Sequence, residues 1–130
     1  MAGPCKRQLG AVGWFDVTVD RAAEARAFYE AVVGWTSSEV DMGDYCDFAM
    51  HSPTSGDAVA GICHARGVNE ALPRGMWIPY VCVEDVDRSA RRCLELGGEV
   101  VVEPKEVSGQ GRFCVLRDPF GAFIALLRFE

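Results

Sequence analysis

The stretch WFDVTVDRAAEARAFYEAVVGW, residues 14–35, decides the fold of this chain. Over Gly13–Val19, apolar residues alternate with Trp14, Asp16 and Thr18, which predicts a strand buried on one face. The residues expected to pack against a helix are Phe15, Val17 and Val19. The other face, with Trp14 and Asp16, is expected to line a cleft.

A helix is predicted directly after this strand. From Ala22 to Val33, apolar residues that include Ala25, Phe28 and Val32 recur at helical spacing, so they are expected to form its buried face. Asp20 is the expected N-terminal cap, and Gly34 supplies the left-handed residue that ends the helix.

The rest of the chain continues the pattern and then repeats it. Val19 matches Val83 and Gly34 matches Gly98 at a constant offset. The repeated helix is expected to be capped by Asp85 or Asp87. The other predicted elements are strands at 37–41, 45–51 and 58–64, a linker at 65–75, a strand at 77–83, and strands at 99–103, 111–117 and 122–129.

This order predicts an α+β fold made of two tandem βαβββ modules, 10–66 and 76–130, within a single domain over 1–130. One module cannot close a core alone, because each face of a sheet needs cover. Two modules are expected to form a curved mixed sheet with the helices outside and a cleft inside.

Composition excludes several classes of function. A net charge of −6 without a basic stripe disfavours nucleic acid as a partner. No apolar run reaches the length of a membrane span and no signal-type segment is seen, so a cytoplasmic protein is expected. The six cysteines stand singly in apolar stretches and are interpreted as buried free thiols.

The chain resembles the vicinal oxygen chelate superfamily, the group of glyoxalase I, bleomycin-resistance proteins and extradiol dioxygenases. The resemblance covers nearly the whole chain and is closest to a glyoxalase-like branch. Its carriers are Trp14-Phe15-Asp16-Val17, Ala27-Phe28-Tyr29, Gly34-Trp35, Val59-Ala60-Gly61-Ile62, Trp77 to Val81, Leu96-Gly97-Gly98 and Asp118-Pro119-Phe120-Gly121.

Many members of this superfamily hold a divalent metal on four cleft-facing strand positions. The resemblance places those positions at Trp14, Ile78, Ala60 or Gly61, and Ala125. None of these side chains is a metal ligand, because such a site needs three or four converging N, O or S donors. We therefore expect no metal and no other cofactor.

The candidate ligand-binding residues are Trp14, Asp16, Tyr80, Phe48 and Arg112. Asp16 could pair with a cationic group of a ligand or act as a general base. Alternatively, it could accept hydrogen bonds from neighbouring backbone or side-chain donors at the sheet rim. Trp14 and Tyr80 would offer flat apolar surfaces, or else fill the core. Phe48 is interpreted as a core residue in preference to a ligand contact. Arg112 follows a glycine-rich hairpin loop and could bind a ligand anion.

Two histidines complete the titratable candidates. Both His51 and His64 lie at predicted strand ends and are interpreted as rim residues. Cys63 and His64 are adjacent in a strand, so they point to opposite faces and are not expected to form one nucleophilic pair or metal site.

Three functions remain open from the sequence. The first is a metal-free binder of a small aromatic or cationic molecule. The second is an enzyme of the same superfamily, of lyase, dioxygenase or hydroxylase type, that uses Asp16 or Tyr80 or a displaced metal. The third is an interaction module with a filled cleft. The resemblance also implies a homodimer.

Overall fold

The computed structural model describes residues 8–107 and 111–129. Of the glycine-rich hairpin loop predicted at 109–112, residues 109 and 110 therefore lie outside the described residues, and residues 111 and 112 begin a strand. The elements are β1 Val12–Val19, α1 Ala22–Val33, β2 Thr36–Asp41, β3 Cys46–His51, β4 Ala58–His64, a short 3-10 helix Gly67–Ala71, β5 Trp77–Cys82, α2 Val86–Glu95, β6 Glu99–Val107, β7 Gly111–Arg117 and β8 Phe123–Arg128.

The chain divides into two compact units. Unit 1 comprises residues 14–77, and unit 2 comprises residues 8–13 together with the described residues from 78 onward. In unit 1 the strand order is β2-β3-β4-β1, with β4 and β1 parallel. Unit 2 has the equivalent order β6-β7-β8-β5, with β8 and β5 parallel. The predicted α+β fold of two βαβββ modules is confirmed.

The core of unit 1 lies between its sheet and α1. Apolar residues of three strands and the helix form it, and Met50 and Ile62 are completely buried. Tyr29, Trp35 and Trp77 extend the core as a cluster of aromatic rings. The buried members are Val17, Ala22, Phe48, Met50, Ala60 and Ile62.

Three residues expected in this core are exposed instead. The side chain of Phe15 is 45% exposed, because the helix packs on the later part of β1, at Val17 and Val19. Phe28 and Val32 are 57% and 64% exposed. Their helical spacing is real, but Ala22, Ala25 and Tyr29 form the stripe of α1 that contacts the sheet.

The predicted cap of α1 is also wrong. The N-cap residue is Arg21 and its side chain makes no capping bond, because Asp20 is paired with Arg74, Nε to Oδ1 at 3.2 Å. In unit 2, by contrast, Asp85 caps α2 by accepting a hydrogen bond from the backbone N–H of Arg88 at 3.0 Å. Gly34 ends α1 in the left-handed conformation, as predicted.

The core of unit 2 lies between α2 and its sheet. Its buried members are Val86, Ala90, Cys114, Leu116 and Leu126, and Val81 and Val83 of the β5 region pack against them. This packing turns Tyr80 to the opposite face of the sheet, as expected.

The described cysteines are all free thiols, and Cys5 lies outside the described residues. Only Cys82 and Cys114 are fully buried, whereas Cys46, Cys63 and Cys93 are half-buried. In the part of the chain that the structure describes, no helix is both long enough and apolar enough to cross a membrane.

Candidate functional site

An oriented carboxylate lies in the middle of β1 in unit 1. Trp14 and Asp16 share the face opposite the helix because they alternate with Val17. The indole Nε1–H of Trp14 donates a hydrogen bond to Asp16 Oδ1. Trp14 is buried and Asp16 is half-buried. The structure thus brings together two of the predicted site residues, with the indole fixing the position of the carboxylate.

Gly61 of β4 gives this carboxylate its space. It lies directly opposite Asp16 in the parallel pairing of β1 and β4. A Cβ atom on Gly61 would clash with Asp16 Oδ1 and would lie 3.4 Å from the Trp14 ring. The backbone of Gly61 does not have a positive φ, so close approach of side chains is the reason for glycine here.

Small residues continue this row across the sheet. Gly61 pairs with Ala49 of β3, and Ala49 pairs with Ser38 of β2. Directly opposed residues in a sheet face the same side. Ala49 and Gly61 therefore form a flat floor between Ser38 and Asp16, and we call these two residues the small-residue floor.

Cys63 lies on the same face, two residues along β4 from Gly61. Burial raises the pKa of the Cys63 thiol well above its ordinary value, and the negative charges of Asp16 and Asp47 raise it further. A thiol nucleophile must be a thiolate. Cys63 is therefore a neutral thiol at physiological pH and not an activated nucleophile.

A buried carboxylate holds His64 at the end of β4. Asp47 is 5% exposed, and its Oδ1 accepts from the backbone N–H of His64 at 2.8 Å and lies 3.2 Å from His64 Nδ1. The ring of Tyr45 packs edge-on against the imidazole with centroids 5.5 Å apart. These contacts fix His64 at the strand end.

The equivalent face of unit 2 carries Tyr80 and is apolar around it. Tyr80 is buried and pairs with Ala125 of β8, and its ring lies 6.1 Å from that of Phe113. Alternation and register also place on this face the apolar residues Ile78, Cys82, Val102, Val115, Phe123 and Leu127 and the charged residues Glu99, Lys105 and Arg117.

The other two candidates are placed elsewhere. Phe48 lies in the helix-side core of unit 1, on the face opposite Asp16, with the Arg26 guanidinium 4.9 Å from its ring centroid. Arg112 of unit 2 makes a two-pronged contact with Asp87, at 2.7 and 2.8 Å. The hydrogen bond from Arg112 lowers the pKa of the Asp87 carboxyl. The Arg112 guanidinium thus forms an ion pair with a carboxylate of its own unit.

The residues at the superfamily's metal positions do not fit a metal. Trp14, Ile78 and Ala125 are buried and offer no ligand atom, and Gly61 has no side chain. Ala60, the alternative to Gly61, faces the helix-side core. Among residues 8–107 and 111–129, no group of three or more His, Cys, Asp or Glu side chains could hold a metal ion.

A surface depression of about 460 Å³ lies at the start of α1 in unit 1. Its charged lining comes from Asp20, Arg21, Glu24 and Arg74. None of the five predicted site residues lines it. This depression is therefore not the predicted aromatic cleft.

Sequence reasoning missed the roles of Gly61, Cys63 and Asp47. For Gly61 a usable pattern existed, because an isolated glycine inside an apolar strand indicates a close approach by another group. For Asp47 and Cys63 no local pattern exists. Their proximity depends on the register between β3 and β4.

The fold and this site define an α+β protein of tandem βαβββ modules with an aromatic and acidic face in its first module. A sequence profile of the Glyoxalase/Bleomycin resistance protein/Dioxygenase superfamily matches residues 11–126. The chain belongs to this superfamily, and the resemblance seen in its motifs is confirmed.

Curated relatives are similar over most of this chain. "Putative glyoxylase CFP32" of Mycobacterium tuberculosis is 34% identical over 121 residues, which cover 93% of this chain and 45% of that protein. "Anthracycline biosynthesis protein DnrV" of Streptomyces peucetius is 30% identical over 133 residues, with 92% and 47% covered. The chain thus spans less than half the length of these relatives.

Solved structures share the fold at low identity. A methylmalonyl-CoA epimerase in complex with methylmalonyl-CoA and NH4+ superimposes with a TM-score of 0.64 at 14% identity, over 94% of this chain and 96% of that chain. The Mycobacterium tuberculosis methylmalonyl-CoA epimerase gives a TM-score of 0.59 at 17% identity, with 97% and 95% covered. At such identity the similarity shows the fold alone.

Proposed function

We propose that this chain binds a small aromatic or cationic molecule on the face of unit 1 that carries Trp14 and Asp16. The observation that supports this most is the carboxylate of Asp16, which is held by the Trp14 indole over a glycine. The hydrogen bond places a carboxylate beside an indole ring on one face of the sheet. A carboxylate and an aromatic ring together are the groups that bind an aromatic cation.

The chemistry of this face sets the class of ligand. A carboxylate attracts a cationic group, and an indole ring offers a flat apolar surface with affinity for cations. Ala49 of the small-residue floor is half-buried and adds only a methyl group beside the carboxylate. The net charge of −6 favours the approach of cations over anions.

The names of the relatives extend the proposal to particular ligands. Similarity to DnrV suggests an anthracycline or a related polycyclic aromatic as a probe. Similarity to CFP32 suggests an enzyme of glyoxylase type as the alternative. In that case Asp16 would act as the acid–base group, because it is the half-buried carboxylate on this face.

The test is a thermal-shift screen of the purified chain. The compounds are an anthracycline with an amino sugar, simple aromatic cations, and divalent zinc, nickel and manganese. A ligand at one hundred times its dissociation constant stabilises the folded state by about 2.7 kcal/mol. We expect stabilisation by an aromatic cation, and no shift with any compound would contradict binding.

Variants of the site distinguish specific binding from surface attraction. Asp16→Asn removes the charge, Trp14→Phe removes the hydrogen-bond donor, and both are expected to abolish the shift. Asp57→Asn removes an equal charge from an exposed loop of the same unit and should leave the shift unchanged. Tyr80→Phe tests, separately, whether the equivalent residue of unit 2 contributes.

The same screen separates the alternatives. Stabilisation by a metal that matches a stoichiometric metal content would contradict our assignment of the ligand positions. Turnover of the bound compound, lost in Asp16→Asn, would favour the enzyme. If every compound fails, the interaction module becomes the favoured function.

We also propose that the chain forms a homodimer. The proposal is supported by the exposed apolar side chains of Phe28, Val32 and Val33 on α1, because contiguous exposed apolar residues mark interaction surfaces. The curated relatives, at more than twice the matched length, have room for a second such domain. Light scattering after size exclusion should give twice the chain mass, and Val32→Glu should give a monomer.

A further inference from the structure

Ser38 and His51 form a hydrogen-bonded pair on two neighbouring strands of unit 1. Ser38 Oγ of β2 lies 2.7 Å from His51 Nε2 of β3. The other ring nitrogen, His51 Nδ1, lies 2.9 Å from the backbone carbonyl oxygen of Gly56. The imidazole is therefore held at both nitrogens.

These two contacts fix the positions of the protons. A carbonyl oxygen can only accept a hydrogen bond, so His51 Nδ1 must carry the hydrogen. In the neutral ring Nε2 then has only its lone pair. Ser38 Oγ–H must therefore donate to His51 Nε2.

A serine hydroxyl that donates to an imidazole, which is oriented by a third group, is the arrangement of an activated nucleophile. The nucleophile and base lie within the required 2.6–3.2 Å. We propose that Ser38 and His51 form an acyl-transfer centre for small activated carboxylic esters. The proposal does not rest on ligand binding at Asp16.

Acylation of Ser38 needs no reactant other than the protein and the ester. Ser38 Oγ forms a bond to the ester carbonyl carbon, and its proton passes to His51 Nε2. The bond between that carbon and the leaving oxygen breaks, and the leaving group departs with the bonding electron pair. His51 returns the proton to the leaving group or to water, and Ser38 is left as an acyl ester.

The third group restricts the substrate to activated esters. In a serine hydrolase a carboxylate both orients the imidazole and stabilises the imidazolium that forms. Here the Gly56 carbonyl orients the ring but supplies only a partial negative charge. The imidazolium is less stabilised, so the leaving group must be good. Because Ser38 is exposed, such an ester can reach it directly from solvent.

The neighbouring serine provides a matched control. Ser37 of the same strand donates its Oγ–H to Glu30 Oε2 at 2.7 Å. A carboxylate is a weaker base than an imidazole, so Ser37 has the same hydroxyl and a similar bond without the activation. Ser37→Ala should therefore leave acylation unchanged.

The experiment is acylation of the whole chain by p-nitrophenyl acetate. The readouts are release of p-nitrophenolate and peptide mapping of the acetyl group by mass spectrometry. We expect one acetyl group at Ser38, none in Ser38→Ala, and a rate at least about 100-fold lower in His51→Gln. Ser37→Ala, the matched control on the same strand, should be acylated at the unchanged rate.

Two results would overturn the proposal: the absence of an acetyl group from Ser38, whether or not other residues are acylated, or equal acylation in His51→Gln. A second measurement needs no variant. The ¹⁵N shifts of His51 in the intact protein should show a protonated Nδ1 and an unprotonated Nε2. The opposite tautomer would leave Ser38 without its base and contradict the centre.

Discussion

The two units repeat one backbone but differ in what their equivalent faces carry. In unit 1 the row is Asp16 paired with Gly61, and in unit 2 it is Tyr80 paired with Ala125. The unit 1 row holds a charge that is fixed by Trp14. The unit 2 row holds a buried aromatic ring among aliphatic side chains.

This difference shows that the two units share the pairing of their strands but not the side chains that the paired positions carry. Asp16 requires a glycine as its partner, because a Cβ on Gly61 would clash with its carboxylate. Tyr80 accepts alanine as its partner. The first unit is thus adapted to hold polar groups, and the second provides apolar burial.

The largest effect is expected from truncating the apolar face of unit 2. Leu127 is fully buried, and Leu127→Ala should lower the free energy of unfolding by about 2–5 kcal/mol. Cys63 occupies the equivalent place in unit 1, and Cys63→Ala should lower it by only about 1 kcal/mol. Urea denaturation measures both, and equal losses would show that the two faces do not differ in packing.

The glycine–alanine exchange tests the pairing rule. Gly61→Ala must displace the Asp16 carboxylate or the Trp14 ring, so it should destabilise the protein by about 1–3 kcal/mol. The reverse change in unit 2, Ala125→Gly, should cost about 1 kcal/mol through backbone entropy and a lost methyl group. A neutral or stabilising Gly61→Ala would show that Asp16 is not held as described.

Thiol reactivity reports the electrostatics of the two units. The negative charge of Asp16 helps to raise the pKa of Cys63, so Asp16→Asn should increase its rate of alkylation by iodoacetamide several-fold. Cys114 of unit 2 is fully buried, and burial raises its pKa to about 12. Its labelling, followed by peptide mass spectrometry, should stay negligible in both proteins. An unchanged rate at Cys63 would mean that the charge of Asp16 does not contribute to its raised pKa.

The smallest effect concerns the ion pair on the helix side of unit 2. Arg112 lowers the pKa of Asp87, so this carboxylate stabilises the fold above its unfolded pKa of about 3.9, and the stabilisation is lost as pH falls through the folded value. Asp87→Asn should therefore be less stable than the natural chain at about pH 7, and the difference should shrink as pH falls below the unfolded pKa of about 3.9. Denaturant unfolding over a series of acidic pH values tests this, and a difference that does not change with pH would exclude the ion pair as its cause.

Much of the fold could be predicted from the sequence because its patterns are local. The limits of α1 and of β4 follow directly from periodicity, glycine and turn residues. The exposure of Phe28 and Val32 could not be predicted, because an apolar spacing does not say which of two stripes meets the sheet. Nor could the pairing of Asp20 with Arg74, because the two residues lie 54 positions apart.

The site could be predicted only in part, for a similar reason. Alternation alone placed Trp14 and Asp16 on one face. The clash that requires Gly61, the carboxylates around Cys63 and the bond between Ser38 and His51 depend on strand register. Register is set by the whole sheet and cannot be predicted from the residue pattern of one strand.

The most direct test of the central claim, that the ligand binds on the Trp14–Asp16 face of unit 1, is an NMR titration of the indole N–H signals. The chain has three tryptophans, and Trp→Phe variants assign their signals. Trp77 is an internal control, because its Nε1–H donates to Tyr29 Oη at 3.1 Å on the helix side. On addition of the aromatic cation that stabilises the protein, the Trp14 signal should move and the Trp77 signal should stay. Movement of Trp77 with a stationary Trp14 would contradict the assignment.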